Sequence, residues 1–195
     1  LAIQKSQEKR ERILQAAIQT FSENGYSNAT IKQIAKEAGV SFGTVFTYFE
    51  NKNDLFQAAV LEPLEEVKAV MLDVPEPSEQ PIEQIKMLIK KHFQYFAEQT
   101  TYMRMIQYVI GQPERFQKQF LPLDQFTIEL RDALRPLIVK AQEKGEIINL
   151  EPNDVSDTYL AFINGVSLTF TDTVKNSGRW DTFTQHAFLL FGPKQ

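Results

Sequence analysis

Residues able to do covalent or metal chemistry are few and scattered in this chain. There is no cysteine, which removes thiolate nucleophiles, thiolate zinc sites, iron–sulfur clusters and disulfides together. Neither histidine, His92 nor His186, has a sequence partner that would make it a positioned base or a metal ligand. Asp154 and Asp157 stand three apart and could share a helix face, but acidic residues opening a helix are accounted for by its dipole. The expectation is no enzyme, no metal and no cofactor. Charge is more informative: residues 1–60 are net +1 and residues 61–195 net −5. Lys5, Lys9, Arg10 and Arg12 form a short basic arm that could lie against phosphates, although a solvated helix face explains each of them equally simply.

The elements that would position such groups can be read from periodicity. The 195 residues are 43% hydrophobic and 24% charged, a globular composition that excludes a mainly disordered or collagen-like chain. No apolar stretch approaches the roughly 18 residues of a membrane span, and no basic-then-apolar signal segment opens the chain, so a soluble cytoplasmic protein is expected. Ile13, Leu14, Ala17, Ile18 and Phe21 lie at helical spacing ahead of Gly25. Thr30 with Gln33 makes a capping box for a second helix carrying Ile31, Ile34, Ala35 and Ala38, stopped by Gly39. Ser41 caps a third helix, Phe42 to Tyr48, too short to stand alone. Asn51 opens a fourth, in which Pro63 predicts a kink near Ala59 to Glu62.

Three prolines between Pro75 and Pro81 mark the best linker. Beyond it the patterns predict helices over 82–99, 101–110, 114–120 and 123–144, one opening at Asn153 or Asp154, and a last one over 182–191 behind Asp181. No strand of useful length is visible. The fold class is all-α, with about nine helices. Residues 1–50 are expected to form one domain, 51–72 a connecting helix and 73–195 a larger body. The second and third helices, joined by Ala38-Gly39-Val40-Ser41, have the apolar inner stripe and polar outer face of a helix-turn-helix. Helical hairpins of this length also occur in proteins that never meet DNA.

The residues themselves decide further. Thr30, Ile34, Ala35, Ala38, Gly39, Val40, Ser41, Gly43, Thr44, Tyr48, Phe49, Lys52 and Leu55, with Ala16-Ala17, Phe21, Gly25 and Tyr26 upstream, resemble the TetR family of bacterial transcription regulators. The resemblance covers about residues 8 to 60. It implies that Thr30, Ser41, Tyr48 and Lys52 hold phosphates of double-stranded operator DNA, with Lys32 adding charge, and that Gly43 leaves room for close approach. Base reading falls to Phe42, Thr44 and Thr47. Two positions depart from the family's pattern. Phe46 replaces a common tyrosine, and Phe42 is apolar where small or polar residues are usual. Phe42 either meets a thymine methyl or folds back onto Phe46 or the first helix.

The resemblance also implies a homodimer through the last two helices and an effector pocket in the body. Tyrosines and methionines concentrated among core aromatics offer adaptable walls with polar handles. The candidate pocket residues are Tyr95, Tyr102, Met103, Gln107, Tyr108, Phe126, Phe162 and Asn164, for a small hydrophobic effector that releases a repressor from DNA. The competing reading is a helical ligand-sensing or protein-interaction module without DNA binding, suggested by Phe42, Phe46 and the acidic body.

Overall fold

The computed structural model describes residues 2–170 and 177–194. Among them are nine helices and no strand: α1 (Ala2–Asn28), α2 (Ile31–Glu37), α3 (Phe42–Val45), α4 (Lys52–Met71), α5 (Pro81–Glu98), α6 (Thr100–Ile110), α7 (Gln117–Glu143), α8 (Pro152–Thr169) and α9 (Ser177–Leu189). The all-α expectation therefore holds. The chain sorts into two compact units, Leu1–Glu65 with Thr101–Pro122, and Glu66–Thr100 with Leu123–Gln195.

In the first unit, Ile13, Ala17 and Phe21 of α1, Ile34 of α2, Val45 of α3, and Leu55, Phe56 and Ala59 of α4 are completely buried. Val45 is the sole buried residue of the four-residue α3, so that helix exists only because its neighbours clasp it. The expected capping box is present: the Gln33 amide donates to Thr30 Oγ1 at 3.2 Å and the Thr30 amide to Gln33 Oε1 at 2.8 Å. At the other end Gly39 adopts φ 63° and the Val40 amide closes onto the Ala35 carbonyl at 2.9 Å, a left-handed stop that suits glycine. Arg12 reaches from α1 to donate to the Ala38 carbonyl at 2.8 Å, pinning the turn.

Gly25 interrupts the end of α1 at φ 68° and ψ 168°, as its position predicts. A side chain there would also strike Tyr108, whose ring lies 3.0 Å from the place a Cβ would occupy. Around this point Phe21, Tyr26, Phe56, Tyr108 and Phe116 form one aromatic cluster with neighbouring centroids 4.9 to 6.1 Å apart.

In the second unit α5 packs on α9 and α8, and α8 on α9. Ile85, Ile89, Phe93, Leu137, Ala141, Ile147, Tyr159, Ile163 and Ala187 lie at its centre, each at most 2% exposed. The proline run after α4 is held to α5 and α7 by Asp73–Lys91 at 2.5 Å, Glu79–Lys144 at 2.9 Å and the Ser78 amide on Gln84 Oε1 at 2.9 Å.

Several boundaries differ from expectation. The pair of helices predicted over 114–120 and 123–144 is a single α7 that continues through Pro122 and Pro136. Each proline costs one backbone donor, and the buried stripe Leu130, Leu134, Leu137, Ile138 and Ala141 lies on both sides of Pro136. α4 runs through Pro63 as the single helix expected there. Its face of Leu55, Phe56, Ala59, Val60, Leu64 and Val67 is buried on both sides of the proline. α3 is shorter than predicted, ending at Val45 with a turn over 46–48. α9 begins before Asp181 because Trp180 is buried, its ring centroid 6.3 Å from that of Phe93.

Candidate nucleic-acid interface

The outer surface of the helix-turn-helix is built from short polar side chains set by the caps. Ser41 accepts the Thr44 amide at 3.2 Å, and its Oγ lies 2.7 Å from Thr44 Oγ1, so capping orients both hydroxyls at the start of α3. Thr30, Lys32, Ser41, Phe42, Gly43 and Thr47 are exposed, and Thr44, Tyr48 and Lys52 are half-buried. A Cβ added at Gly43 would meet no atom within 4 Å. The space in front of α3 is open.

Phe42 and Phe46 pack edge to face at 5.1 Å, 70° between planes, while remaining 55% and 42% exposed. Phe42 does fold onto Phe46, and the pair still projects outward as an apolar patch. Tyr48 is less free than its sequence position suggests: its hydroxyl lies 3.2 Å from Ser6 Oγ of α1. The basic arm divides. Arg10 is bidentate to Glu62 and stands 4.9 Å over the Phe49 ring, and that carboxylate raises the arginine's pKa further. Arg12 is spent on the turn before α3. Lys5 and Lys9 stay exposed.

Lys52, the first residue of α4, has its ammonium 4.6 Å over the Tyr26 ring and 3.4 Å from the Ser27 carbonyl. Burial lowers its pKa, and the charge of Arg115 adds to that. Arg115 and Ser27 belong to this cluster, and sequence reasoning missed both. Their only signal is a contact across 88 residues, Arg115 Nη2 to Ser27 Oγ at 2.7 Å, which no local pattern announces.

The eight candidate pocket residues fall in both units. On α6, Tyr102 and Met103 are buried, Tyr108 is half-buried and Gln107 is exposed; the Tyr102 hydroxyl donates to the Val60 carbonyl at 2.8 Å. In the second unit Tyr95, Phe126 and Phe162 are half-buried and Asn164 is exposed on α8. Burial and then Glu66 hold the Tyr95 phenol pKa above its ordinary value. The Phe162 ring lies 6.2 Å from Phe93 and 6.5 Å from Phe183. Of the two histidines, His92 is fully buried with Nδ1 2.8 Å from the Tyr159 hydroxyl, and His186 is exposed. Among the described residues no three His, Asp or Glu side chains gather as a metal site, and no helix is long and apolar enough to cross a membrane.

An all-α chain with a capped, braced helix-turn-helix whose outer face is open is a helix-turn-helix protein. Residues 13–59 match the family described as bacterial regulatory proteins, tetR family. The matched stretch runs from Ile13 in α1 to Ala59 in α4 and includes the whole helix-turn-helix. It is similar to the fatty acid metabolism regulator protein of Bacillus subtilis strain 168, 34% identical over 86 residues, a stretch covering 44% of each protein. Its fold is similar to that of a tetR-family regulatory protein from Rhodococcus RHA1 (TM-score 0.77, 19% identity, 96% of this chain and 98% of that one). It is similar also to that of the FadR regulator from Bacillus subtilis in complex with stearoyl-CoA (TM-score 0.67, 20% identity, 95% and 99%). The sequence match to the curated relative thus spans under half its length, and the structural likenesses speak for the fold.

Proposed function

We propose that the chain is a ligand-responsive, DNA-binding transcriptional regulator, a repressor that leaves its operator when a hydrophobic effector binds. The observation carrying this reading is the exposed start of α3. There Ser41 and Thr44 present hydroxyls, Gly43 leaves the approach clear, and Phe42 with Phe46 supplies an apolar patch. Thr30, Lys32, Ser41, Tyr48 and Lys52 hold the backbone, and Phe42, Thr44 and Thr47 read base edges. Tyr48 exchanges the Ser6 hydroxyl for a phosphate oxygen on docking. Two copies pair through α8 and α9, where Ala161, Gly165 and Leu189 are exposed and a Cβ at Gly165 would meet nothing, so that two recognition helices face adjacent major-groove segments. Of the residues expected at the effector site, Tyr95, Phe126, Phe162 and Asn164 of the second unit are the ones assigned to it. Stearoyl-CoA is the first effector to test, since the name of the similar B. subtilis protein points to fatty acid metabolism. The protein acts by binding and has no catalytic role.

Binding of the duplex upstream of the chain's own gene, followed from 50 to 200 mM salt, tests this. A dimer that neutralises about six to ten phosphates is expected to lose about a thousandfold or more in affinity over that range. A flat curve, or no duplex binding, refutes the regulator and favours the sensing module.

The Phe42 contact has its own test. Replacing thymine by uracil at the base facing Phe42 is expected to weaken binding about fourfold, the value of one buried methyl group, and Phe42→Ala to remove the difference. A uracil penalty undiminished in the Phe42→Ala protein assigns the methyl to another residue.

A further inference from the structure

Two cations converge on the end of α1 without a counter-charge. Lys52 comes from the start of α4 and Arg115 from the turn between α6 and α7, and both engage Tyr26-Ser27. Arg115 Nη2 donates to Ser27 Oγ at 2.7 Å, and Nη1 donates to Gln112 Oε1 at 3.2 Å. Among the described residues neither cation is paired with a carboxylate. Like charges drawn together with no anion between them are unfavourable, so the arrangement is half of an anion site.

The site is also rigidly built. Phe116, next to Arg115, is 5% exposed, with its ring 5.1 Å from Phe56 and 5.4 Å from Tyr108. Tyr108 in turn abuts Gly25, where no side chain would fit. The guanidinium, 5.0 Å from the Phe116 ring, is therefore held on a fixed anchor while remaining exposed. Ser27 Oγ accepts from Arg115 and keeps its own proton to donate. A planar guanidinium, an ammonium and a hydroxyl donor together match the oxygens of a phosphate group. Ser27 precedes the Thr30 cap of α2 by three residues and Lys52 opens α4, so the cluster lies beside the helix-turn-helix. That position selects a duplex backbone as the source of the phosphate.

We propose that Arg115, with Lys52 and Ser27, forms a phosphate clamp for duplex DNA outside the helix-turn-helix, giving the α6–α7 turn a direct part in operator binding. The assignment rests on the regulator reading. The test uses the full chain and the tightest duplex that the wild-type protein selects from a random-sequence library, with affinity measured across a salt series. Arg115→Gln is expected to weaken binding about tenfold and to reduce the slope of log affinity against log salt by about one for each Arg115 that meets a phosphate. Arg115→Lys should keep the slope. Lys118→Gln, which removes the same charge from an exposed site on α7, should change neither slope nor affinity. A wild-type slope in Arg115→Gln, or an equal loss in Lys118→Gln, overturns the clamp while leaving the regulator intact. Wild-type protein that selects no duplex refutes the regulator and the clamp with it. If Arg115→Gln fails to fold by its thermal melt, Ser27→Ala carries the test: a weakened affinity at unchanged stability is expected, and unchanged affinity overturns the assignment.

Discussion

Phe56→Ala is expected to destabilise the first unit by about 3–5 kcal/mol, the usual cost of emptying a buried phenyl site. Phe56 is completely buried and touches three rings, Phe21 at 4.9 Å, Tyr26 at 4.9 Å and Phe116 at 5.1 Å, the first two from α1 and the third from the turn before α7. None can move into the void without giving up its other ring contacts, so the cavity would stay open. The sole tryptophan, Trp180, lies in the second unit, which lets the two units be followed separately in denaturant. Far-ultraviolet circular dichroism should show an early transition that Trp180 fluorescence does not. Phe42→Ala makes the same chemical change at a 55% exposed position and should alter stability by no more than about 0.5 kcal/mol. A loss below about 1 kcal/mol for Phe56→Ala would mean that the aromatic cluster does not hold this unit together. The consequence for function is direct, because α3 has only Val45 inside and inherits its position from what lies beneath.

That dependence also explains what could be read from the sequence and what could not. The helix-turn-helix was legible because each of its signals is local: the Thr30–Gln33 box, the 0, 3, 4, 7 stripe of α2, the left-handed Gly39 and the Ser41 cap all lie within a dozen residues, and all are present. Pro122 misled for the opposite reason. A proline penalty is local, but the burial that offsets it comes from helices distant in sequence. The same holds at the candidate interface. Thr30 and Ser41 could be placed as caps from spacing and Gly43 and Thr44 from the family resemblance, while the Ser6–Tyr48 contact across 42 residues and the Arg115–Ser27 contact across 88 depend on tertiary packing. Aromatic density in residues 93–126 was visible, but not how it would be divided. Tyr108 and Phe116 belong to the cluster around Gly25, whereas Phe93 packs with Phe162 and Trp180. A ring's composition announces that it will be buried; only the packing says against what.

Acid should unfold the second unit through His92. The ring is fully buried, its Nδ1 is 2.8 Å from the Tyr159 hydroxyl and its Nε2 has no hydrogen-bond partner of good geometry. Burial lowers its pKa from 6.5 to about 3; the Met71 carbonyl favours the charged ring but is outweighed, and the Lys91 charge pushes the same way as burial. Burial also raises the pKa of the Tyr159 phenol, so at neutral pH a protonated phenol and a neutral imidazole share this hydrogen bond. Above pH 6.5 the ring is neutral in both folded and unfolded chains and contributes no pH dependence. Below 6.5 the unfolded chain takes up a proton that the folded chain refuses, and stability falls by about 1.4 kcal/mol per pH unit until the folded pKa is reached. Asp73, Glu79 and Glu129 are exposed carboxylates whose pKa values ion pairs with Lys91, Lys144 and Lys68 lower, so their stabilising effects are lost only at lower pH. The interval between pH 6.5 and 5 thus isolates His92, and about 2 kcal/mol should disappear across it in denaturant titrations followed by Trp180 fluorescence. Replacing only Tyr159 by Phe would leave both ring nitrogens unsatisfied and destabilise at every pH. The double variant His92→Phe, Tyr159→Phe removes the titrating group and its partner together and should be flat across the interval. If wild-type stability is itself flat from pH 6.5 to 5, His92 is not held neutral by burial, and the tight seam between α5 and α8 must admit water.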